Sequence, residues 1–245
     1  MPRYRFDISY DGTAYCGWQI QPNGLTVQEV IQGGLERIVC EPVKLHGSGR
    51  TDQGVHARRQ VAHADLPAAW DVAKLRRALN AVLPPDIRIM RALPVSATFH
   101  ARKSVMLKEY RYFIWNGVVL PPDKRFTFCH IREPLNVAAM QEAADLLVGQ
   151  NDFAAFSANP NRFVETTVRR LDRLDVRKRG AEISVIAAGE GFLYKMVRSL
   201  VGFLIRVGEG SVEPALTREI LASGERTARV PTAAPQGLFL WNVTY

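Results

Sequence analysis

The chain has 245 residues, 47% apolar and 23% charged, the composition of a globular protein large enough to bury a core without disulfide or metal staples. Lysine and arginine number 32 against 24 acidic residues, and the net charge of +8 favours anionic partners, nucleic acid or an anionic membrane surface. The three cysteines, Cys16, Cys40 and Cys129, make neither a disulfide framework nor a CxxC pair, which suits a reducing compartment.

The N-terminal stretch MPRYRFDISYDG is charged from its third residue and lacks the apolar core of a secretory signal. The most apolar segment, MVRSLVGFLIRV, is interrupted by Arg198 and Arg206 and is too short to span a bilayer. The expectation is a soluble cytoplasmic protein with no membrane contact.

In chain order, YRFDISY alternates Tyr4, Phe6, Ile8 and Tyr10 against Arg5, Asp7 and Ser9, the period of a half-buried antiparallel strand. DGTAYCGWQIQPNG reads as a long loop. In TVQEVIQGGLERIV the period changes, and Val27, Val30, Ile31, Leu35 and Ile38 share one helical face. Thr26 with Glu29 reads as a capping box. Weaker strands are expected near 43–47 and 58–65. A second helix covers DVAKLRRALNAVL and ends at Pro84-Pro85; the strand IRIMRAL follows.

LKEYRYFIWN begins a second part with another alternating strand. A helix is expected over 136–148, strands near 167–178 and 182–188, a helix over GFLYKMVRSLVGFLIRVGEG, a short helix near 217–223 and a final strand in GLFLWNVTY. Both parts run roughly β-α-β-β-α-β. The predicted fold class is α+β: two ferredoxin-like halves, 1–103 and 104–245, each an antiparallel sheet with helices on one face, and an active-site cleft between them.

The stretch GSGRTDQGVHA at 47–57 places Arg50 and Asp52 among Gly47, Gly49 and Gly54. It lacks the GK[ST] ending of a phosphate loop and lies between two predicted strands. One reading is a hairpin turn whose glycines supply positive φ. The other is a functional loop: glycines let a substrate approach, and an arginine nearby favours the ionised aspartate, a positioned nucleophile. The histidines form no HExxH or Cys/His cluster, and the pair flanking the loop, His46 and His56, matches no zinc spacing, so no metal is expected.

KEYRY sets Tyr110 and Tyr112 on one strand face with Lys108 beside them. This suits either a cross-strand aromatic pair or a base-stacking ring with a usable hydroxyl. FLYKMVRSL carries Lys195 and Arg198; with Gly191 and Gly202 they form a polar stripe at helical spacing on an otherwise apolar helix, and Asp52 is the candidate partner for Arg198. Basic residues gather again at 168–180, Arg169, Arg170 and Arg173 among them, either as a charged strand edge or as a phosphate track.

In one order, YDGTAYCGWQIQ, TVQEVIQGGL, GSGRTDQGVHA, FHARKSVMLKEYRY, NDFAAFS and GFLYKMVRSLVG resemble the tRNA pseudouridine synthase A family, from Tyr4 to Tyr245. The resemblance implies isomerisation of uridine to pseudouridine at positions 38, 39 and 40 of the tRNA anticodon stem-loop, by a homodimer without cofactor. It makes Asp52 the catalytic aspartate, Tyr110 the tyrosine that stacks on the target uracil and serves as base, Arg50 a residue near the flipped nucleotide, and Arg198 the basic partner of the aspartate. Lys108, Arg58, Arg169 and Arg170 complete the expected tRNA-binding set. Attack of Asp52 at C1′, attack at C6 and assisted elimination to a glycal all fit the residues.

Two other classes fit parts of the sequence. A non-catalytic RNA-binding module would carry the K/R-G-F/Y-G/A-F-V-x-F/Y signature, which is absent. A carboxylate hydrolase would use a second acid to activate water, and none stands near Asp52 in sequence.

Overall fold

The alternation that begins at Arg3 produces the first strand, β1 (Arg3–Tyr10), with Tyr4, Phe6, Ile8 and Tyr10 buried. The computed structural model describes residues 1–158 and 165–245 and divides them into two compact units: Met1–Met106 with Phe239–Tyr245, and Leu107–Leu238.

The first unit runs β1, α1 (Val27–Val39), β2 (His46–Gly47), β3 (His56–Asp65), α2 (Val72–Val82) and β4 (Ile87–Val95). Strand β1 is central, antiparallel to β3 on one side and to β4 on the other. Two residues of the last strand, β10 (Leu238–Thr244), run parallel to β3, with Phe239 opposite His56. Asp7 is buried on β1 despite facing away from the tyrosines, because Arg5 and Arg59 both close on it, at 2.9 and 3.0 Å. Its charge is thus matched where an unpaired buried carboxylate would be costly.

Helix α1 starts where the sequence places it. Thr26 caps it by accepting the Glu29 N–H, and Val27, Ile31 and Leu35 are fully buried. Val30 and Ile38 lie at the margin of that face. On α2, Asp71 caps the helix through the Lys74 N–H at 2.8 Å, and Leu75 and Leu79 are the buried residues. Each of these aliphatic side chains contributes about 1.5–3 kcal/mol by leaving water.

The second unit runs β5 (Leu107–Asn116), β6 (Cys129–Ile131), α3 (Val137–Asp145), β7 (Gly149–Asp152), β8 (Val168–Arg179), β9 (Glu182–Gly189), α4 (Met196–Gly208) and α5 (Leu216–Ser223). Its antiparallel sheet has the order β5-β9-β8-β7, and β6 joins β5 in parallel. Strand β7 pairs with only the first four residues of β8. Further along, Gln141 of α3 takes over that edge: its amide oxygen accepts the Val176 N–H at 2.6 Å and its amide nitrogen donates to the Leu174 carbonyl at 3.3 Å.

Four expectations need correction. The strand expected near 43–47 is only two residues long, and β6 and β7 fall where no strand was expected. The helix expected from Gly191 begins at Met196, because Lys195 adopts a left-handed conformation (φ 56°) that stops the helix from extending toward its N-terminus. Gly191 and Lys195 therefore leave the predicted polar stripe, and Arg198 and Gly202 remain on α4. Of the three loop glycines, only Gly54 has a positive φ (73°).

Candidate active site

The loop that carries Asp52 joins β2 to β3 and is held from below. The Tyr10 hydroxyl lies 2.8 Å from the Thr51 hydroxyl in the core. Burial pushes the Tyr10 phenol well above its ordinary range, so it stays protonated. Beside this pair, buried Gln60 accepts the Ser48 hydroxyl at 2.6 Å and donates to the Gly49 carbonyl at 3.0 Å. Ser48 also donates its N–H to the Val61 carbonyl at 2.7 Å. The side chains at 48 and 51 thus point inward and are hydrogen-bonded in the core, while Asp52 is half-exposed.

A second segment braces the loop from the side. In the stretch expected to be a plain loop, the Trp18 N–H donates to the Thr51 carbonyl at 3.1 Å, and the Gly12 N–H donates to His56 Nδ1 at 3.1 Å. Two glycines make this approach possible. A Cβ on Gly12 would lie 2.0 Å from the Val55 carbonyl oxygen, and one on Gly17 (φ 87°) 2.5 Å from the Thr51 oxygen. Gly47 has a different task from the one expected: its missing side chain leaves room for the Trp18 ring, whose Nε1 would be 2.5 Å from a Cβ. Within the loop, the Val55 N–H closes a turn onto the Asp52 carbonyl at 3.1 Å. Tyr15 secures the brace at its far end by donating to Asp86 at 2.8 Å. Arg50 projects outward and donates through Nε to the Gln19 side-chain oxygen.

His46 and His56 flank the loop in sequence but have different neighbours. His46 stacks on His63, with ring centroids 5.0 Å apart, and His56 stacks on Phe239 at 4.5 Å. Among the described residues no group of three or more His, Cys, Asp or Glu is arranged to hold a metal ion. Arg58 is exposed and lies over the Trp241 ring, 4.6 Å from its centroid.

In the second unit, strand alternation buries Tyr110, Tyr112 and Ile114 together. Their settings differ. Tyr112 is fully buried and its hydroxyl donates to the Ala234 carbonyl at 2.8 Å, which makes it a structural residue. Tyr110 keeps 8% exposure and stands edge-on to Phe192, with centroids 5.1 Å apart. Lys108 is half-exposed on the same strand, opposite Gly189. Arg198 is one of the few positions on α4 that is not buried. Its Nε donates to the Ala233 carbonyl at 2.8 Å, and the Ala233 N–H returns a bond to the Arg198 carbonyl at 3.0 Å. Gly202, one turn on, lets this segment close in, since a Cβ there would be 2.1 Å from the Pro231 oxygen.

The basic strand β8 is more neutral than its sequence suggests. Arg170 pairs with Asp172 at 2.7 Å, Arg173 with Glu109 at 3.0 Å and Arg177 with Asp175 at 2.9 Å. Arg169 donates to the Thr166 and Val168 carbonyls. The residues that sequence reasoning passed over are Tyr10, Gln60 and the glycines 12 and 17. The one signal for them was a glycine pair in a loop otherwise rich in aromatic residues.

The comparisons with known proteins decide the family. The model of the tRNA pseudouridine synthase domain matches residues 8–102 and 143–245. The chain belongs to the tRNA pseudouridine synthase A family. Relatives of that name share 45% identity with it in Brevibacillus brevis and 44% in Geotalea daltonii, each over the whole of both chains. A third, from Chlamydia trachomatis, is 44% identical over 97% of this chain and 90% of its own. Pseudouridine synthases are isomerases, and the enzyme class of this chain follows from its membership. The domain matches include Asp52 and Arg198 and pass over 103–142, where Tyr110 lies; the full-length relatives span that stretch. No described helix of this synthase is long and apolar enough to cross a membrane.

Proposed function

We propose that this chain converts uridine to pseudouridine in tRNA, at positions 38, 39 and 40 of the anticodon stem-loop, with Asp52 as nucleophile and without a cofactor. The observation that carries the reading is the mounting of Asp52. Its neighbours are tied into the core through Thr51 and Ser48, its loop is braced by backbone bonds from 12–18, and its own side chain is left half-exposed. A rigidly held, accessible carboxylate on an enzyme of this family suits nucleophilic chemistry.

The reaction breaks the N1–C1′ bond, turns the uracil and joins C5 to C1′. The proton lost from C5 is balanced by the one gained at N1, so no oxidant, reductant or net water is consumed. The target base has to leave its stack, which calls for an aromatic surface and a basic path for the backbone. Tyr110 supplies the ring and takes the C5 proton. Arg198 is the cation that balances the aspartate. Arg50, Lys108 and Arg58 hold the nucleotide and its phosphates, and Arg169 and Arg170 extend the track. The working form is a cytoplasmic homodimer of chains with two ferredoxin-like halves, 1–103 and 104–245. For the first half, the order β4-β1-β3 with β2 beside β3 supports this description.

Asp52→Asn tests the reading. Pseudouridine formation in tRNA should disappear while tRNA affinity stays within a few-fold, because phosphate contacts carry most of the affinity. Binding that collapses with activity would make Asp52 structural. Wild-type activity that vanishes with a chelator and returns with a divalent ion, tRNA folding being held intact, would contradict the cofactor-free chemistry.

A further inference from the structure

The geometry points to a second RNA-backbone site, formed by Arg76, Arg77 and Arg88 on the face made by α2 and β4, which grips phosphates away from the target nucleotide. This rests on the reading that the substrate is tRNA. The three arginines line an open groove of about 590 Å³ together with Asn80 and Met90. Among the described residues none of the three has a carboxylate partner. Two of them are instead held by backbone carbonyls: Arg76 donates to the Met90 carbonyl at 3.3 Å, and Arg88 to those of Pro84 and Ile87 at 2.6 and 2.7 Å. A guanidinium held in this way is oriented but keeps its full charge, and further N–H groups are left for a phosphate.

The contrast with β8 shows which arginines would meet a phosphate without a carboxylate beside them. On β8, Arg170, Arg173 and Arg177 have partners in Asp172, Glu109 and Asp175, so at those three an RNA phosphate would have to compete with a carboxylate. On α2 and β4 no such competitor lines the groove. Another protein strand is a poor occupant. Asn80 already covers the free edge of β4, its amide donating to the Ile89 carbonyl at 3.0 Å and its oxygen accepting the Ile89 N–H at 2.8 Å.

The groove also lies at the useful end of its sheet. Arg88 is opposite Ser9 and Ile87 opposite Tyr10, where β1 runs into the segment that braces the Asp52 loop. That segment bonds back to the start of β4, the Asp11 N–H donating to the Asp86 carbonyl at 2.9 Å.

The test is the salt dependence of binding of the full chain to unmodified tRNA. Each phosphate contact removed should make the slope of log K against log[salt] shallower by about one. Arg76→Gln with Arg77→Gln should therefore flatten the slope by about two and weaken binding several-fold. Arg218→Gln, an exposed site on α5, should change neither. Arg88→Gln should act in the same direction; should it unfold the start of β4, the double variant still carries the test. An unaltered slope in the correctly folded double variant would overturn the proposal. So would an unaltered slope accompanied by a changed oligomeric state in sedimentation, which would make the face a subunit contact. The assay needs no turnover. A wild-type chain that binds tRNA with this slope but forms no pseudouridine would remove the proposed function and leave the site standing.

Discussion

The hydroxyl of Tyr10 meets the hydroxyl of Thr51 at 2.8 Å in the core, so the last residue of β1 anchors the residue immediately before Asp52. The two are 41 positions apart in the chain. A buried hydroxyl that loses its partner costs about 1–3 kcal/mol. Tyr10→Phe should therefore lower stability by an amount in that range. Because Thr51 is released beside Asp52, the rate of pseudouridine formation should fall more than tRNA affinity does. Denaturant unfolding and single-turnover kinetics on the same variant check both, and a loss of stability with an unchanged rate would show that Asp52 holds its place without the pair.

The brace from 12–18 makes a sharper prediction, because its close contacts are backbone to backbone. Gly12→Ala and Gly17→Ala should each destabilise by more than about 1 kcal/mol and reduce activity, since the added methyl would meet the oxygen of Val55 or Thr51. Gly33→Ala is the control. That glycine sits inside α1 with nothing within 4 Å of an added Cβ, and alanine there should stabilise the helix by about 0.8–1 kcal/mol. Midpoints of chemical unfolding for the three variants separate the two effects.

Tyr110 is expected to have two separable tasks. Tyr110→Phe keeps the ring edge-on to Phe192 and should bind tRNA nearly as well as the wild type. It loses the hydroxyl, and a missing general base costs about 10²–10⁴ in rate. Tyr110→Ala also loses the stacking surface, worth about 1–3 kcal/mol per base. Matched binding curves and single-turnover rates check this; a wild-type rate for Tyr110→Phe would reduce Tyr110 to a stacking residue.

Stability should fall on acidification below neutrality. Burial first, and then the neighbouring His100, Arg3 and His46, push His63 down to about 4, and His100 is lowered as well, again mainly by burial. His63 is 2% exposed, and its Nδ1 accepts the Ala101 N–H at 3.1 Å, a bond that needs the unprotonated nitrogen. The unfolded chain therefore binds the proton first. The stabilising difference is fully present above the unfolded value of about 6.5 and is lost as pH falls toward 4, by at most about 1.4 kcal/mol per pH unit for one such group. Nearby Asp65, paired with Arg3 at 2.7 Å and held low mainly by that bond, adds a loss of the same sign at lower pH. Urea midpoints between pH 7 and pH 4 should show the decline, and His63→Gln should flatten its upper part.

Local pattern was enough for most of the regular structure. Period-two runs in YRFDISY and LKEYRYFIWN mark β1 and β5, and the spacing of Val27, Ile31, Leu35, Leu75 and Leu79 marks the buried faces of α1 and α2. Each of these elements is laid down by residues a few positions apart, so a linear reading sees it. The motif around Arg50 and Asp52 and the family it points to were legible for the same reason, being carried by adjacent residue types. Only the tertiary structure decided what each residue does there. Gly47 yields space to Trp18, Gly12 and Gly17 admit a second backbone, Lys195 delays the start of α4 to Met196, and Arg170, Arg173 and Arg177 of β8 have carboxylate partners while, among the described residues, Arg76, Arg77 and Arg88 of α2 and β4 have none. Whether a glycine serves a turn or a contact, and whether a charge is matched, depends on groups that folding brings together from distant parts of the chain, and such groups leave no period in the sequence.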